Sequence, residues 1–143
     1  FKLWAQKYVS PSLEIICNPP APPHDIPSIL ATMDIGLVPL GQDLPFYLCK
    51  SPTKMFEFMA MKCCVLASDV GEVSRILQHK ETGLKAAKFS DFRQHLAFLI
   101  ENPEKRIEIA EKAYQMCINQ YSQHFLGDKL CKIFRRLLRE RRL

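Results

Sequence analysis

Apolar residues fall in short unbroken runs through the first two thirds of the chain and at helical spacing through the last third. Leu13-Glu14-Ile15-Ile16-Cys17, Ile35-Gly36-Leu37-Val38 and Cys63-Cys64-Val65-Leu66-Ala67 are runs of strand length. Such runs suit parallel strands covered on both faces. Each closes on a stop signal: Asn18 with Pro19, Pro20, Pro22 and Pro23; then Pro39; then Ser68-Asp69-Val70-Gly71. Between the strands, Asp25 is placed to cap a helix from Ile26 to about Met33, with Pro27 tolerated in the first turn. Gly41 to Lys50 reads as a loop. Ser51-Pro52 reads as the cap and first residue of a helix to about Lys62, with Met55, Phe56, Met59 and Ala60 on one side. A short helix over Glu72 to Leu77, a turn at Glu81-Thr82-Gly83 and an edge strand from Leu84 complete this part.

The remainder is helical. Asp91 to Glu101 carries Phe92, Leu96, Leu99 and Ile100 at helical spacing, and Asn102-Pro103-Glu104 restarts the helix. Its stripe is Ile107, Ala110, Tyr114 and Cys117. The last helix sets Leu126, Leu130, Ile133, Phe134, Leu137 and Leu138 on one face. Alternating strands and helices predict an α/β fold: a Rossmann-like open parallel sheet flanked by helices, with a helical C-terminal segment over 103–143. Residues 1–143 read as one domain without repeats.

Composition narrows the picture. The 143 residues are 48% hydrophobic and 24% charged, the balance of a soluble globular domain. No apolar run approaches the roughly 20 residues that cross a bilayer, and Phe1 to Lys7 lack the form of a secretory signal. A cytoplasmic protein is expected. The six cysteines form no C-x-x-C pair and stand at no ligand spacing from a histidine, so a zinc site is not expected. Cys63 and Cys64 read as buried small hydrophobes in a reducing compartment. The net charge of +5 gathers near the end, in Lys129, Lys132, Arg135, Arg136, Arg139, Arg141 and Arg142. Contact with anionic lipid is the functional reading of that tail; a solvated helix face is the plainer and preferred one. Nucleic acid is disfavoured, because no aromatic residues interleave with the charges.

Ligands of open parallel sheets bind beyond the carboxyl ends of the strands, which directs attention to the loops 18–25, 40–50 and 68–71. The middle loop runs into the Ser51-Pro52 helix start, where the free N–H groups of Thr53 and Lys54 favour an anion. Lys54 opposes the helix dipole there, by about 0.3 to 1 kcal/mol, so an anionic ligand is the simplest reason for its presence. Glu57 follows one turn later and could accept hydrogen bonds from sugar hydroxyls. The competing reading is a surface Lys54–Glu57 salt bridge worth a few tenths of a kcal/mol. The flanking Phe56 and Met59 imply that Glu57 is not on an open surface. His24 sits in a strand-exit loop within reach of a ligand, whereas His95 and His124 read as ordinary helix residues.

Ser51-Pro52-Thr53-Lys54-Met55-Phe56-Glu57-Phe58-Met59-Ala60 resembles the S-P-x-K-x-x-E-x-M-A stretch in the C-terminal GT-B domain of family 4 glycosyltransferases. Asp34 to Pro39, Val65 to Gly71, Glu81-Thr82-Gly83-Leu84, and Asn102-Pro103-Glu104 through Tyr121-Ser122 resemble the family's flanking segments in the same order. The resemblance implies a partial GT-B C-terminal domain that binds a nucleotide diphosphate sugar, without cofactor or metal, and transfers the sugar with retention, as a hexosyltransferase does. It implies Lys54 on the diphosphate and Glu57 on the ribose as candidate catalytic residues. Ser51, Thr53, Lys54, Glu57, Cys49 and Gly71 are the candidate substrate-binding residues. The acceptor (saccharide, lipid or protein) is held by an N-terminal domain that this chain lacks, so the chain alone is not expected to be active.

The pattern departs from the family at three points. Cys49 occupies the place of a second glutamate near the donor sugar, Glu72 replaces a usual glycine, and Pro52 lacks an N–H. The family's domain also opens with further strands upstream of Phe1. These departures leave a non-catalytic interaction or regulatory module as the alternative. A nicotinamide-dependent enzyme is disfavoured, since the G-x-G-x-x-G fingerprint is absent.

Overall fold

A computed structural model describes residues 13–41 and 45–140. In chain order the elements are α1 (Ile26–Leu30), β1 (Ile35–Val38), α2 (Pro45–Cys49), α3 (Thr53–Ala60), β2 (Cys64–Ser68), α4 (Gly71–Ile76), β3 (Leu84–Ala86), α5 (Phe89–Glu101), α6 (Pro103–Tyr121) and α7 (Gln123–Glu140). The strands are parallel in the order β1-β2-β3, with Leu37 opposite Leu66 and Leu66 opposite Leu84.

The two-residue period of a strand then sorts side chains onto two faces. Cys64, Leu66, Leu84 and Ala86 pack with Leu99 of α5 and with Ile109 and Ala110 of α6. On the other face, Val38, Val65 and Ala67 meet Met55 and Met59 of α3, Val73 of α4, and Ala113 and Cys117 of α6. All of β2 is buried, as its unbroken apolar run requires. Helix α3 lies close because β1 carries a glycine: a Cβ on Gly36 would stand 2.3 Å from the Phe58 ring.

Helix α6 closes the amino ends of the strands. Arg106, just inside α6, holds Asp34 ahead of β1 at 3.0 Å and donates to the Leu99 carbonyl at 2.9 Å. Lys62, ahead of β2, meets Glu111 at 2.7 Å. That hydrogen bond raises the Lys62 pKa and, seen from its partner, lowers that of Glu111. The carboxyl ends of the strands lie at the other end of the sheet from these anchors.

Several expectations shift. Leu13 to Cys17 forms no strand: it meets no partner edge among the described residues, and Leu13 and Ile16 are 63% and 70% exposed. Helix α1 stops at Leu30 rather than near Met33, where the Thr32 hydroxyl donates to the Ile29 carbonyl. Asp25 stands at its cap position, but its side chain makes no capping bond. The loop after β1 contains α2. Strand β2 starts one residue late, because the Cys63 N–H closes α3 on the Phe58 carbonyl. Helix α5 starts at Phe89, earlier than expected, because the Asp91 carboxylate accepts the N–H groups of Ala87 and Lys88 at 3.0 Å. Those bonds, Lys88 first, hold the Asp91 pKa below its usual value. Cys63, Cys64 and Cys117 are buried and unpaired, and burial pushes the Cys64 thiol up to about 12. The readings of Phe1 to Lys7, Arg141 and Arg142 lie outside the described residues.

Candidate functional site

Three loops leave the carboxyl end of the sheet, and the sequence ties them together. Ser68, the buried last residue of β2, donates its hydroxyl to the Leu40 carbonyl at 2.9 Å and accepts the Leu40 N–H at 2.8 Å. This joins the exits of β1 and β2. The Asp69 N–H donates to the Ala86 carbonyl at 2.9 Å, joining β2 to β3. Asp69 is itself held by the Ser74 hydroxyl at 2.5 Å and by the Lys85 ammonium at 3.4 Å.

β1 and β2 are parallel, with α2 and α3 between them, which puts the start of this connection, and of α3 after it, at the same end. Pro52 is buried and serves as the cap, with φ −83° and ψ 76°. Those angles are an inverse γ-turn, and they fold the Thr53 N–H back onto the Ser51 carbonyl at 3.0 Å. The expectation of a free Thr53 N–H is therefore corrected: proline at the cap consumes it. The Lys54 N–H has no partner among the described residues. Ser51 is one position too early to cap, and its hydroxyl makes no capping bond.

The Lys54 and Glu57 side chains are both exposed. Neither pairs with the other or with any group among the described residues. The surface salt bridge that would explain them without a ligand is thus not formed. The expectation that Glu57 is shielded is corrected: Met55 and Met59 take the inward positions of α3, and Glu57 points away from them.

Cys49 and Gly71 come from segments that touch. Gly71 has φ +56°, and a Cβ there would stand 2.7 Å from the Leu48 carbonyl oxygen and 2.9 Å from that of Tyr47. Only glycine lets the end of α2, with exposed Cys49, rest on the start of α4.

Sequence reasoning missed a cavity of about 710 Å³ on the other face of the same sheet end. Leu37, Leu66, Ser68, Phe92 and Leu96 line it, with Lys88 and Arg93 as its cations, and none of the six predicted binding residues does. The detectable signal was strand alternation, which puts Leu37, Leu66 and Ser68 on one face. His24, the histidine expected to reach a ligand, lies 3.5 Å from its neighbour Asp25 and is exposed.

A parallel sheet flanked by helices, with an unpaired lysine and glutamate in the first turns of α3, is a Rossmann-like α/β fold. The chain belongs to the glycosyl transferase-like family, which matches residues 1–130. Among solved structures it is similar to the C-terminal domain of LpcC, a glycosyl transferase group 1 family protein of Francisella tularensis. The identity is 24% over 75% of this chain and 53% of that one, with a TM-score of 0.58. A glycosyltransferase from Rickettsia africae aligns over 96% of this chain and 35% of its own, at 20% identity and a TM-score of 0.69. HepE of Anabaena, in complex with UDP and glucose, aligns over 77% and 29% at 19% identity and a TM-score of 0.65. The chain thus spans about half the length of the Francisella domain and about a third of the other two. No curated protein matches it.

Proposed function

We propose that this chain is the donor-binding part of a GT-B glycosyltransferase of the family 4 type, which transfers a hexose from a nucleotide diphosphate sugar with retention. The observation that carries the reading is the unpaired Lys54 and Glu57, one turn apart at the start of α3. A lysine here opposes the dipole of its own helix, and its ammonium has no partner among the described residues to offset that cost. A diphosphate supplies the missing negative charge. When the bond between sugar and diphosphate breaks, charge grows on the leaving phosphate, and Lys54 with its own N–H stabilises it without a metal. Glu57 accepts hydrogen bonds from the two ribose hydroxyls. UDP is the first nucleotide to try, since the Anabaena relative holds it. An acceptor domain completes the enzyme, and a reducing cytoplasmic setting suits its free cysteines.

One observation favours the alternative of a non-catalytic module. Cys49 is exposed at the end of α2 and offers the donor sugar no carboxylate.

Nucleotide binding tests the first reading. UDP at about 100 times its dissociation constant stabilises a native state by roughly 2.7 kcal/mol, several degrees of melting temperature. Lys54→Ala removes that shift and raises the unliganded melt slightly, by the roughly 0.3–1 kcal/mol that the lysine costs its own helix. An undiminished shift in the variant refutes the assignment of Lys54. No shift with either UDP or GDP refutes the donor-binding reading.

A further inference from the structure

The pairing of β1 with β2 ends with Val38 opposite Ala67. Two residues on, Leu40 still turns both of its backbone groups toward β2, where they meet a side chain rather than a backbone. The Ser68 hydroxyl donates to the Leu40 carbonyl at 2.9 Å and accepts the Leu40 N–H at 2.8 Å. Ser68 is 4% exposed. The backbone after it has already turned to β3, since the Asp69 N–H donates to the Ala86 carbonyl. One hydroxyl therefore carries the link between the exits of β1 and β2.

That link holds a loop seated at two glycines. Leu40 runs into Gly41, where a Cβ would stand 2.8 Å from the Tyr47 ring, so α2 lies against the chain leaving β1. Gly71, at the start of α4, seats α2 from the other side: a Cβ there would stand 2.9 Å from the Tyr47 carbonyl oxygen. The two seats belong to the two strand exits that Ser68 ties together. From α2 the chain is short to the donor site. Cys49 ends α2, Ser51 gives its carbonyl to the Thr53 N–H, and Lys54 follows.

We propose that Ser68 is a positioning residue of the donor site. Its hydroxyl latches the two strand exits together, so that α2 and the Ser51-Pro52 turn hold Lys54 and its N–H where a diphosphate meets them. Ser68 acts through Leu40 and α2 and does not touch the nucleotide. The proposal rests on the donor-binding reading. Core packing explains a small residue at the buried end of β2. It does not explain a hydroxyl whose donor and acceptor both serve one residue of the neighbouring loop. Without the latch, Leu40 exchanges its partners for water, and the seated loop becomes one arrangement among several. Apparent affinity then falls by the competent fraction.

The test is UDP affinity of the full chain by calorimetry, with the melting temperature recorded beside it. Ser68→Ala should weaken UDP about tenfold, as the latched arrangement loses both of its hydrogen bonds. Ser68→Cys, nearly isosteric but only a weak donor, should do the same with the packing kept. Ser68→Thr keeps the hydroxyl, and its added methyl has room because Ser68 lines the cavity of about 710 Å³; it should bind as the parent does. Hydrogen exchange at the Leu40 amide should quicken in the Ala and Cys variants and not in the Thr variant. Ile109→Val, a mild truncation of the core on the α5 side of the sheet, should lower the melting temperature and leave UDP affinity alone. A parent chain that binds UDP, with Ser68→Ala or Ser68→Cys binding it equally well, overturns the latch and leaves the donor reading standing. So does a Ser68→Thr as weak as Ser68→Ala, or an Ile109→Val that loses affinity along with stability. A parent that binds neither UDP nor GDP removes the donor reading, and the proposal falls with it.

Discussion

Helices α3 and α7 are both amphipathic, and the fold treats them in opposite ways. In α3 the apolar side is closed, with Met55 and Met59 at 0% exposure against Val38, Val65 and Ala67. Its polar side presents Lys54 and Glu57 outward. In α7 the apolar side is open and the polar side carries five cations against two acids. Periodicity says which residues share a face; it does not say what covers that face. For α3 the cover is the sheet. For α7 no residue is buried against the described chain.

Truncating one stripe and then the other is the sharpest way to break this comparison. Met59→Ala leaves a hole in a closed core and costs about 2–5 kcal/mol. Phe134→Ala on α7 removes an exposed side chain and stays within about 0.5 kcal/mol. Urea melts of both variants check this, and a comparable loss for Phe134→Ala would mean that α7 is covered by the chain itself.

A second perturbation separates positioning from ligand contact. Gly71→Ala forces a left-handed backbone on a residue with a Cβ and drives that Cβ into the Leu48 carbonyl. The expected cost is about 1–3 kcal/mol. Because α2 rests on Gly71, the variant also weakens UDP binding even though Lys54 is untouched. A stable Gly71→Ala protein with unchanged UDP affinity would remove this loop from the site.

How much of this was legible follows from what each signal depends on. Ile35–Val38 was readable to the residue, because a short β-branched run between Asp34 and Pro39 has one plausible pairing state. So was the inward side of α3, because Met55 and Met59 stand at helical spacing. Leu13 to Cys17 has the same local character as β1 but no neighbour to pair with, and pairing is a tertiary fact. The five residues of α2, beginning at Pro45, are too few to show a period. The outward turn of Glu57 was misread because its sequence neighbours Phe56 and Met59 are apolar, although residues adjacent along a helix do not share a face. The inverse γ-turn at Pro52 needed a ψ angle that composition does not encode.

Glu57→Gln tests the ribose role with less disturbance than truncation. The amide keeps the shape but gives up the charged acceptor, worth roughly 1.5 kcal/mol per hydrogen bond, or about tenfold in affinity. Calorimetry with UDP reads that loss, while inorganic pyrophosphate, which has no ribose, binds both forms alike. Equal weakening toward pyrophosphate would move Glu57 from the ribose to the phosphates.

The smallest expected effect lies away from both helices and tests whether the edge strand β3 loosens alone. His79 accepts the Lys85 N–H on Nδ1 at 3.0 Å, which holds the start of β3. Burial lowers its pKa below the ordinary 6.5, with His95, Lys80 and Lys85 adding to the effect and Asp69 opposing it. The native state therefore binds a proton less readily than the unfolded chain, and stability rises with pH between the two values. It is complete above about pH 6.5 and is lost as pH falls through the lowered native value. His79 is exposed, so screening keeps the contribution well under about 1 kcal/mol. The depressed carboxylates Asp91, Glu108 and Glu111 lose their contributions only in the acid range below their ordinary values of 3.8 and 4.5, which keeps the windows apart. Thermal melts from neutral pH to just above pH 5 should show a shallow decline in the parent chain and a flatter profile in His79→Gln. Hydrogen exchange should place the decline at the Lys85 amide rather than in β2; a uniform decline would mean that the sheet titrates as one unit.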